Sequence, residues 1–354
     1  MIALLKDLVR IESDTIEGAN SALLYCESWL EERGISTTVF KHEEKLMLVA
    51  VIGDGEECMI WNGHVDVVPG NQEQFEPFVE GDFLYGRGTA DMKAGVAGMM
   101  QAFYELSKKP EDLAQKIQLH IVTDEEKESE TSKFLVEQGY TGDFVICGEP
   151  THLQIGLQAK GIIQFDMVLK GKSSHGSRPW EGTNAIEQAF LFDKKLRTLS
   201  FLTASNEFYD YPSLNLAKIR AGERYNVVPD ECIISYDLRF VPGQDMQSII
   251  TNLKSLAEEF PNSEIQVKTT APAITTEAKN LYVERIAHII PQFIGKPAVL
   301  FGQHGAADAR FYAETGAGAI EFGPSGGDWH GEKEYVSISS TETFKNILVS
   351  LGKK

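Results

Sequence analysis

The sequence predicts an α/β fold interrupted by a smaller α+β unit, and three observations carry that prediction. Helical stretches alternate with short apolar runs over residues 1 to about 157, the same texture returns from about 272 to 354, and residues 158 to 271 between them change to alternating strands and two helices. A chain of 354 residues, 42% of them hydrophobic, is long enough for about two domains with sizeable cores.

The elements follow in order. The opening MIALLKDLVRIESD sets Ile2, Leu5, Leu8 and Val9 on one face with charges between them, which reads as an amphipathic helix without a signal-peptide core. The runs LMLVAVIG, CMIWNG, KIQLHIV and DFVICG read as strands, and the alternation with helices puts helices on both faces of their sheet. Residues 161–170 (GIIQFDMVLK) alternate like a half-exposed strand, and 183–199 read as a helix with Thr183 as its N-cap. Strands at 213–220 and 231–240, a helix at 245–259 and a strand at 264–270 complete a βαββαβ order, a split-βαβ sandwich small enough to be an insertion. VERIAHIIPQFI, AVLFG, AGAIEFG and TETFKNILVSLG then return to helix, strand, strand, helix.

Charge and cysteine content exclude several classes. With 33 basic and 52 acidic residues, net -19, the chain repels phosphate backbones and anionic membranes and lacks a nucleic-acid binder's basic patch. The four cysteines, Cys26, Cys58, Cys147 and Cys232, form no C-x-x-C pair and sit mostly in apolar runs, so they read as small core residues. No apolar run approaches a membrane span. The expectation is a reduced, soluble, cytoplasmic protein.

The polar residues gather at strand ends. WNGHVDVVPG places His64 and Asp66 two apart past a strand, where a carboxylate can support a metal-bound imidazole, although H-x-D alone also fits a surface turn. YGRGTADMKAG surrounds Asp91 and Lys93 with glycines at a helix entrance, where an aspartate is commonly a cap. Neither the glycines there nor the GKS at 171–173 completes a phosphate-binding or dinucleotide fingerprint. VTDEEKES stacks Asp124, Glu125 and Glu126 after a strand, so this stretch is either a solvated turn or a site that needs a cation. CGEP sets Glu149 after another strand, and FGPSGGDWHGEKEYV sets His330 in a glycine-rich loop after a third. Open α/β sheets bind ligands beyond the carboxyl ends of their strands, and two zinc-type cations would each accept one of these histidines with one or two carboxylates and neutralise the cluster.

The ordered set NGHVDVVPG, YGRGTADMKAG, TDEEKES, CGEP, SSHGSRPWEGTNAI, NVVPDECIISYDLRF, ADARF and FGPSGGDWHGEKEYV resembles the M20 metallopeptidases and deacylases over almost the whole chain. The resemblance implies a mixed-sheet zinc-peptidase catalytic domain, residues 1–157 and 272–354, with an inserted dimerisation or lid domain at 158–271. It implies two divalent ions, zinc with cobalt or manganese as alternatives, one on His64 and Glu149, the other on Glu126 and His330, with Asp91 bridging both. Glu125 would then act as general base on a water held between the metals, whose hydroxide attacks an amide carbonyl, with Asp66 supporting the first histidine. In the inserted domain, His175 would polarise the substrate carbonyl, often in a partner subunit's site, and Asn226 and Arg239 would lie on the substrate side, since a guanidinium can hold a carboxylate through two bonds. Arg239 could equally pair with Asp237 or Asp245.

Two departures bear on substrate. Ala306 or Ala307 stands near Asp308 and Arg310 where the family usually has a hydroxyl, and no tryptophan precedes the PF of EPF at 76–78. The expected activity is hydrolysis of a small N-acyl amino acid of the desuccinylase or deacetylase type, by a homodimer. A dipeptidase, aminopeptidase or carboxypeptidase shares these motifs, and a non-catalytic binding protein on the same scaffold is the alternative from another class.

Overall fold

The computed structural model describes residues 1–305 and 307–354. It divides into two units: Met1–Leu157 with Thr275–Phe301 and Ala307–Lys354, and Gln158–Ile274 with residues 302–305.

The first unit is built on a mixed sheet. Its strands run in the order Thr37–His42, Lys45–Ile52, Lys116–Val122, Cys58–His64, Phe144–Cys147 and Gly318–Glu321, with Glu321 reaching Gly156 of the strand Ile155–Ala159. The first two pairings are antiparallel and the next three parallel. Every residue of Cys58–His64 and of Phe144–Cys147 is buried, as expected where helices cover both faces of a parallel sheet and the strands become continuous apolar runs. Helices Ile16–Glu31, Ala94–Ser107, Leu281–Ile294 and Ile338–Gly352 supply that cover. Two of them begin at hydroxyl caps, Thr15 accepting from Gly18 N–H and Ser337 from Ser340 N–H. The N-terminal helix is Ile2–Arg10 and buries Leu4, Leu5, Leu8 and Val9.

A small second sheet in this unit joins Gly326–Gly327, Tyr335–Ser337, Phe83–Tyr85 and Phe78–Glu80. Strands of two and three residues carry too little periodicity to be read from sequence, and these are held by Phe78 stacked on Tyr85 and Phe83 set edge-on to Tyr335.

The second unit has the expected βαββαβ order. Its strands Ser213–Ala221, Glu231–Phe240, Gly161–Lys170 and Glu264–Ala271 pair antiparallel in that spatial order. Alternate residues Cys232, Ile234, Tyr236, Leu238 and Phe240 point inward and pack with Phe192 and Leu253 of helices Ala185–Leu196 and Met246–Ala257. Burying each large apolar side chain stabilises the fold by about 1.5–3 kcal/mol. One helix start differs from expectation: Asn184, not Thr183, caps it, because both backbone polar groups of Thr183 bond to those of Lys172. The four cysteines are free and buried. No helix among the described residues is long and apolar enough to cross a membrane.

Candidate metal centre

Four neighbouring parallel strands end together, and this brings the polar residues to one place. His64 stands level with Val122, and Cys147 with both Asn62 and Glu321, so the chain leaves four strands at one edge of the sheet. His64 and Asp66 follow the first exit, Glu125 and Glu126 the second, and Glu149 the third. Two glycines make room for the turn that carries Glu149. A Cβ on Gly95 would collide with the carbonyl oxygen of Gly148, and one on Gly323 with those of Gly148 and Glu149.

The cluster is tight. His64 Nε2 lies 3.2 Å from Asp91 Oδ1 and 3.9 Å from Glu149 Oε1. His330 Nε2 lies 3.4 Å from the other Asp91 oxygen and 3.1 Å from Glu126 Oε1. Asp91 thus stands between the two imidazoles, and the ligating atoms of His64, Asp91 and Glu126 all fall within 4.8 Å of one another. It caps no helix: its φ of -115° and ψ of 98° place it in an irregular turn, Thr89–Lys93.

Asp66 supports two parts of this arrangement. Its carbonyl oxygen is 3.0 Å and its carboxylate 3.4 Å from His64 Nδ1, which leaves Nε2 for the cluster. The same carboxylate accepts from the backbone N–H groups of Glu125 and Glu126. It therefore orients the histidine and the acidic loop together.

The three consecutive acids of VTDEEKES have different fates. Asp124 points away from the histidines: it is 3.0 Å from Lys45 Nζ, and its oxygens accept from Glu130 N–H, Thr131 N–H and the Thr131 hydroxyl. Lys45 is buried and also holds Glu128 and Glu130. Asp124 anchors the loop, and Glu125 and Glu126 face the cluster.

Electrostatics separates the members further. Burial pushes the carboxyls of Glu125, Glu126 and Glu149 up, with Asp91 among the like charges that add to it. Burial opposes protonation of His64, yet hydrogen bonds to Asp66 and Asp91 outweigh it and hold its pKa well above the ordinary range. The contact with Asp91 raises His330 to about 9. Asp91 is lowered: burial would raise it, but the two histidines prevail.

This donor set fits divalent cations. The carboxyl groups of Asp91, Glu125, Glu126 and Glu149 raise one another's pKa, and His64 and His330, 3.1–3.9 Å from their nearest carboxylate oxygens, offset this only in part, so the set favours added positive charge. The nearby lysines are engaged elsewhere, Lys45 as described and Lys93 on the carbonyl oxygens of Leu8 and Ile11 at the end of the first helix. Burial pushes Lys93 down to about 7.

The remaining expected site residues lie in the second unit or beside the cluster. His175 Nδ1 bonds to the Ser177 hydroxyl at 2.8 Å, and Gly176 N–H donates to Asn226 O at 2.8 Å, so the segments that carry His175 and Asn226 lie side by side. Arg239 is held by Asp237 through two bonds, at 2.7 and 3.0 Å. Asp308 is buried, accepts from Ser132 at 2.6 Å and is pushed by burial up to about 6. Ala307 is buried, and Ala306 lies outside the described residues.

Sequence reasoning passed over Arg87 and Glu334, which form a buried ion pair at 2.8 Å beneath the cluster. They stand inside the motifs YGRGT and HGEKEYV, and only Arg87, flanked by Gly86 and Gly88, carries a local signal.

Known proteins share this architecture. The profile of Peptidase family M20/M25/M40 matches residues 60–354. Succinyl-diaminopimelate desuccinylase of Wolinella succinogenes is 28% identical over 345 residues, covering 92% of each chain. The enzyme of the same name from Helicobacter hepaticus is 28% identical over 378 residues, covering 98% of this chain and 95% of that one. Among solved structures, aminopeptidase PepT from Bacillus cereus superposes with a TM-score of 0.84 at 19% identity, covering 99% of this chain and 96% of that one. A dinuclear metal-binding peptidase of the M20 family from Bacillus subtilis gives 0.75 at 15% identity, with the same coverage. The chain is a metal-dependent hydrolase of amide bonds and belongs to Peptidase family M20/M25/M40.

Proposed function

We infer that this chain cleaves the amide bond of a small N-acyl amino acid, of succinyl or acetyl type, using two zinc ions. The observation that carries this reading is the cluster itself, in which Asp91 stands between His64 and His330 with Glu126 and Glu149 alongside. His64 and Glu149 would hold one ion, Glu126 and His330 the other, and Asp91 both. When bound, the ions polarise the scissile carbonyl and lower the pKa of water.

The chain's own residues do the rest. Glu125, with its carboxyl pKa raised by burial, accepts a proton from the attacking water and delivers it to the leaving amine nitrogen, the general base and then general acid of the reaction. Asp66 keeps Glu125 in place through the backbone and fixes the orientation of His64. His175, Asn226 and Arg239 of the second unit contact substrate, His175 at the carbonyl. Arg239 must then share its guanidinium with Asp237.

The 28% identity to desuccinylases supports the acyl amino acid over a peptide substrate, since the peptidase structures are at 21% or below among the first two. An edge strand, Ser213–Ala221, exposing Leu216 and Ile219, supports homodimer formation through the second unit. Four free buried cysteines support a cytoplasmic location.

The deciding experiment is a hydrolysis panel of zinc-loaded protein against N-succinyl and N-acetyl amino acids beside di- and tripeptides, with a chelated control. Chelator-sensitive release of amine from the acyl amino acids is expected. Turnover confined to peptides would replace the deacylase reading with a peptidase one, and turnover indifferent to chelation would sink both.

A further inference from the structure

We propose that the buried Arg87–Glu334 ion pair is a positioning device that sets metal affinity, by tying the Asp91 turn to the His330 loop. The proposal rests on the reading that Asp91 and His330 hold metal.

The two residues are 247 positions apart in sequence, and both are nearly inaccessible to water. Glu334 spreads its carboxylate over one turn: Oε2 accepts from Arg87 Nη1 at 2.8 Å and Gly88 N–H at 2.9 Å, and Oε1 accepts from Ala90 N–H at 3.0 Å and Asp91 N–H at 3.1 Å. A carboxylate bound by three backbone N–H groups of one irregular turn fixes the course of that turn, and with it the direction in which the Asp91 side chain leaves. Arg87 then reaches the second loop. Its Nη2 donates to the carbonyl oxygen of His330 at 3.3 Å and to that of Pro69 at 3.4 Å.

The His330 loop needs such a hold. His330 has a φ of +60°, and Asp328 a φ of +55°, both in the left-handed region that non-glycine residues disfavour. Gln74 braces the same loop, donating to the carbonyl oxygens of Gly331 and Glu332, while accepting at its own carbonyl from Arg87 N–H. The separation between His330 Nε2 and Asp91 Oδ2 is therefore referred to one ion pair, whose partners sit on the two segments that carry these side chains. Residues that orient ligands in this way commonly change metal affinity by about 10–100-fold when altered.

The test uses the full chain with Zn2+ titrated against a chromophoric chelator and the absorption spectrum of the Co2+ form as a second readout, beside thermal unfolding of the metal-free protein. The variants are Glu334→Gln, Arg87→Met and Arg87→Lys, with Lys345→Met as a comparison, since Lys345 forms a partly buried pair with Glu105. Arg87→Lys keeps the charge and size that folding needs, but an ammonium cannot reach both Glu334 and His330 as the planar guanidinium does. It is expected to weaken one of the two ions about 10–100-fold, leave the other within about threefold, and alter the Co2+ spectrum. Glu334→Gln and Arg87→Met should weaken both ions, and Lys345→Met neither.

A merely structural pair predicts something else: lower unfolding temperatures for the Arg87 and Glu334 variants with metal affinities and Co2+ spectra unchanged. That result overturns the proposal while leaving the metal centre standing. A wild-type protein that takes up no metal would instead remove the reading on which the proposal rests.

Discussion

His64 and His330 reach the same carboxylate by opposite routes. His64 ends a strand, is buried, and has its other ring nitrogen held by Asp66; His330 sits in a loop, in a left-handed conformation, with about half of its side chain exposed. A strand end is positioned by the sheet and keeps its geometry without a ligand. A loop position is only as good as the bonds that hold it, here those of Arg87 and Gln74. The difference teaches that one half of the cluster is preorganised by the fold, while the other depends on a few side chains.

The largest expected effect tests what both halves serve. Glu125→Gln should lower kcat by about 100- to 10,000-fold, roughly 3–5 kcal/mol, with both ions retained, because it removes the proton acceptor and no proposed ligand. Steady-state rates and metal content on one preparation check this, and full activity in the variant would assign the proton transfer elsewhere.

The second prediction addresses the contrast directly. In metal-free protein above pH 9, where His330 is neutral, His64→Ala should cost about 1–3 kcal/mol of stability, because Asp66 and Asp91 lose a buried partner. His330→Ala should stay within about 0.5 kcal/mol of wild type, as exposed positions do. Denaturant titration of the two variants measures the gap, and equal losses would erase the distinction between strand-held and loop-held halves.

The smallest effect is in pH. His330 is raised to about 9 in the folded metal-free protein, so its contribution to stability is complete below about 6.5, its unfolded value, and is lost as pH rises through 9. Glu125, Glu126 and Glu149, raised by burial, have the same sign. The metal-free wild type should therefore lose stability relative to His330→Ala between pH 6.5 and 9, a comparison in which the opposite contribution of Lys93, lowered to about 7, cancels, while its affinity for metal grows over the same interval as protons cease to compete. Wild-type stability rising relative to the variant across that interval would contradict the assignment.

Much of this site was legible because strands announce their ends. His64, Glu125, Glu126 and Glu149 each follow an apolar run, and parallel strands of one sheet deliver such residues to one edge. What the residues by themselves left open, and only the family resemblance divided, was the role of each neighbour. Asp124 differs from Glu125 only through Lys45, a partner 79 residues away, and through the helix that begins at Glu130. Arg87 and Glu334 stayed hidden for the same reason, since a pairing across 247 residues leaves no local pattern. The helix cap at Asn184 was missed by one position, because a bridge to Lys172 occupies Thr183.

The first unit is assembled from segments that the second unit interrupts, with Phe144–Cys147 pairing to Gly318–Glu321. As the chain leaves the ribosome, His64, Asp91, Glu126 and Glu149 are all in hand long before the strand that closes the sheet exists, and His330 emerges after it. Phe144–Cys147 therefore waits for a neighbour on one side until Gly318–Glu321 is made, and the proposed set of donors is complete only with His330.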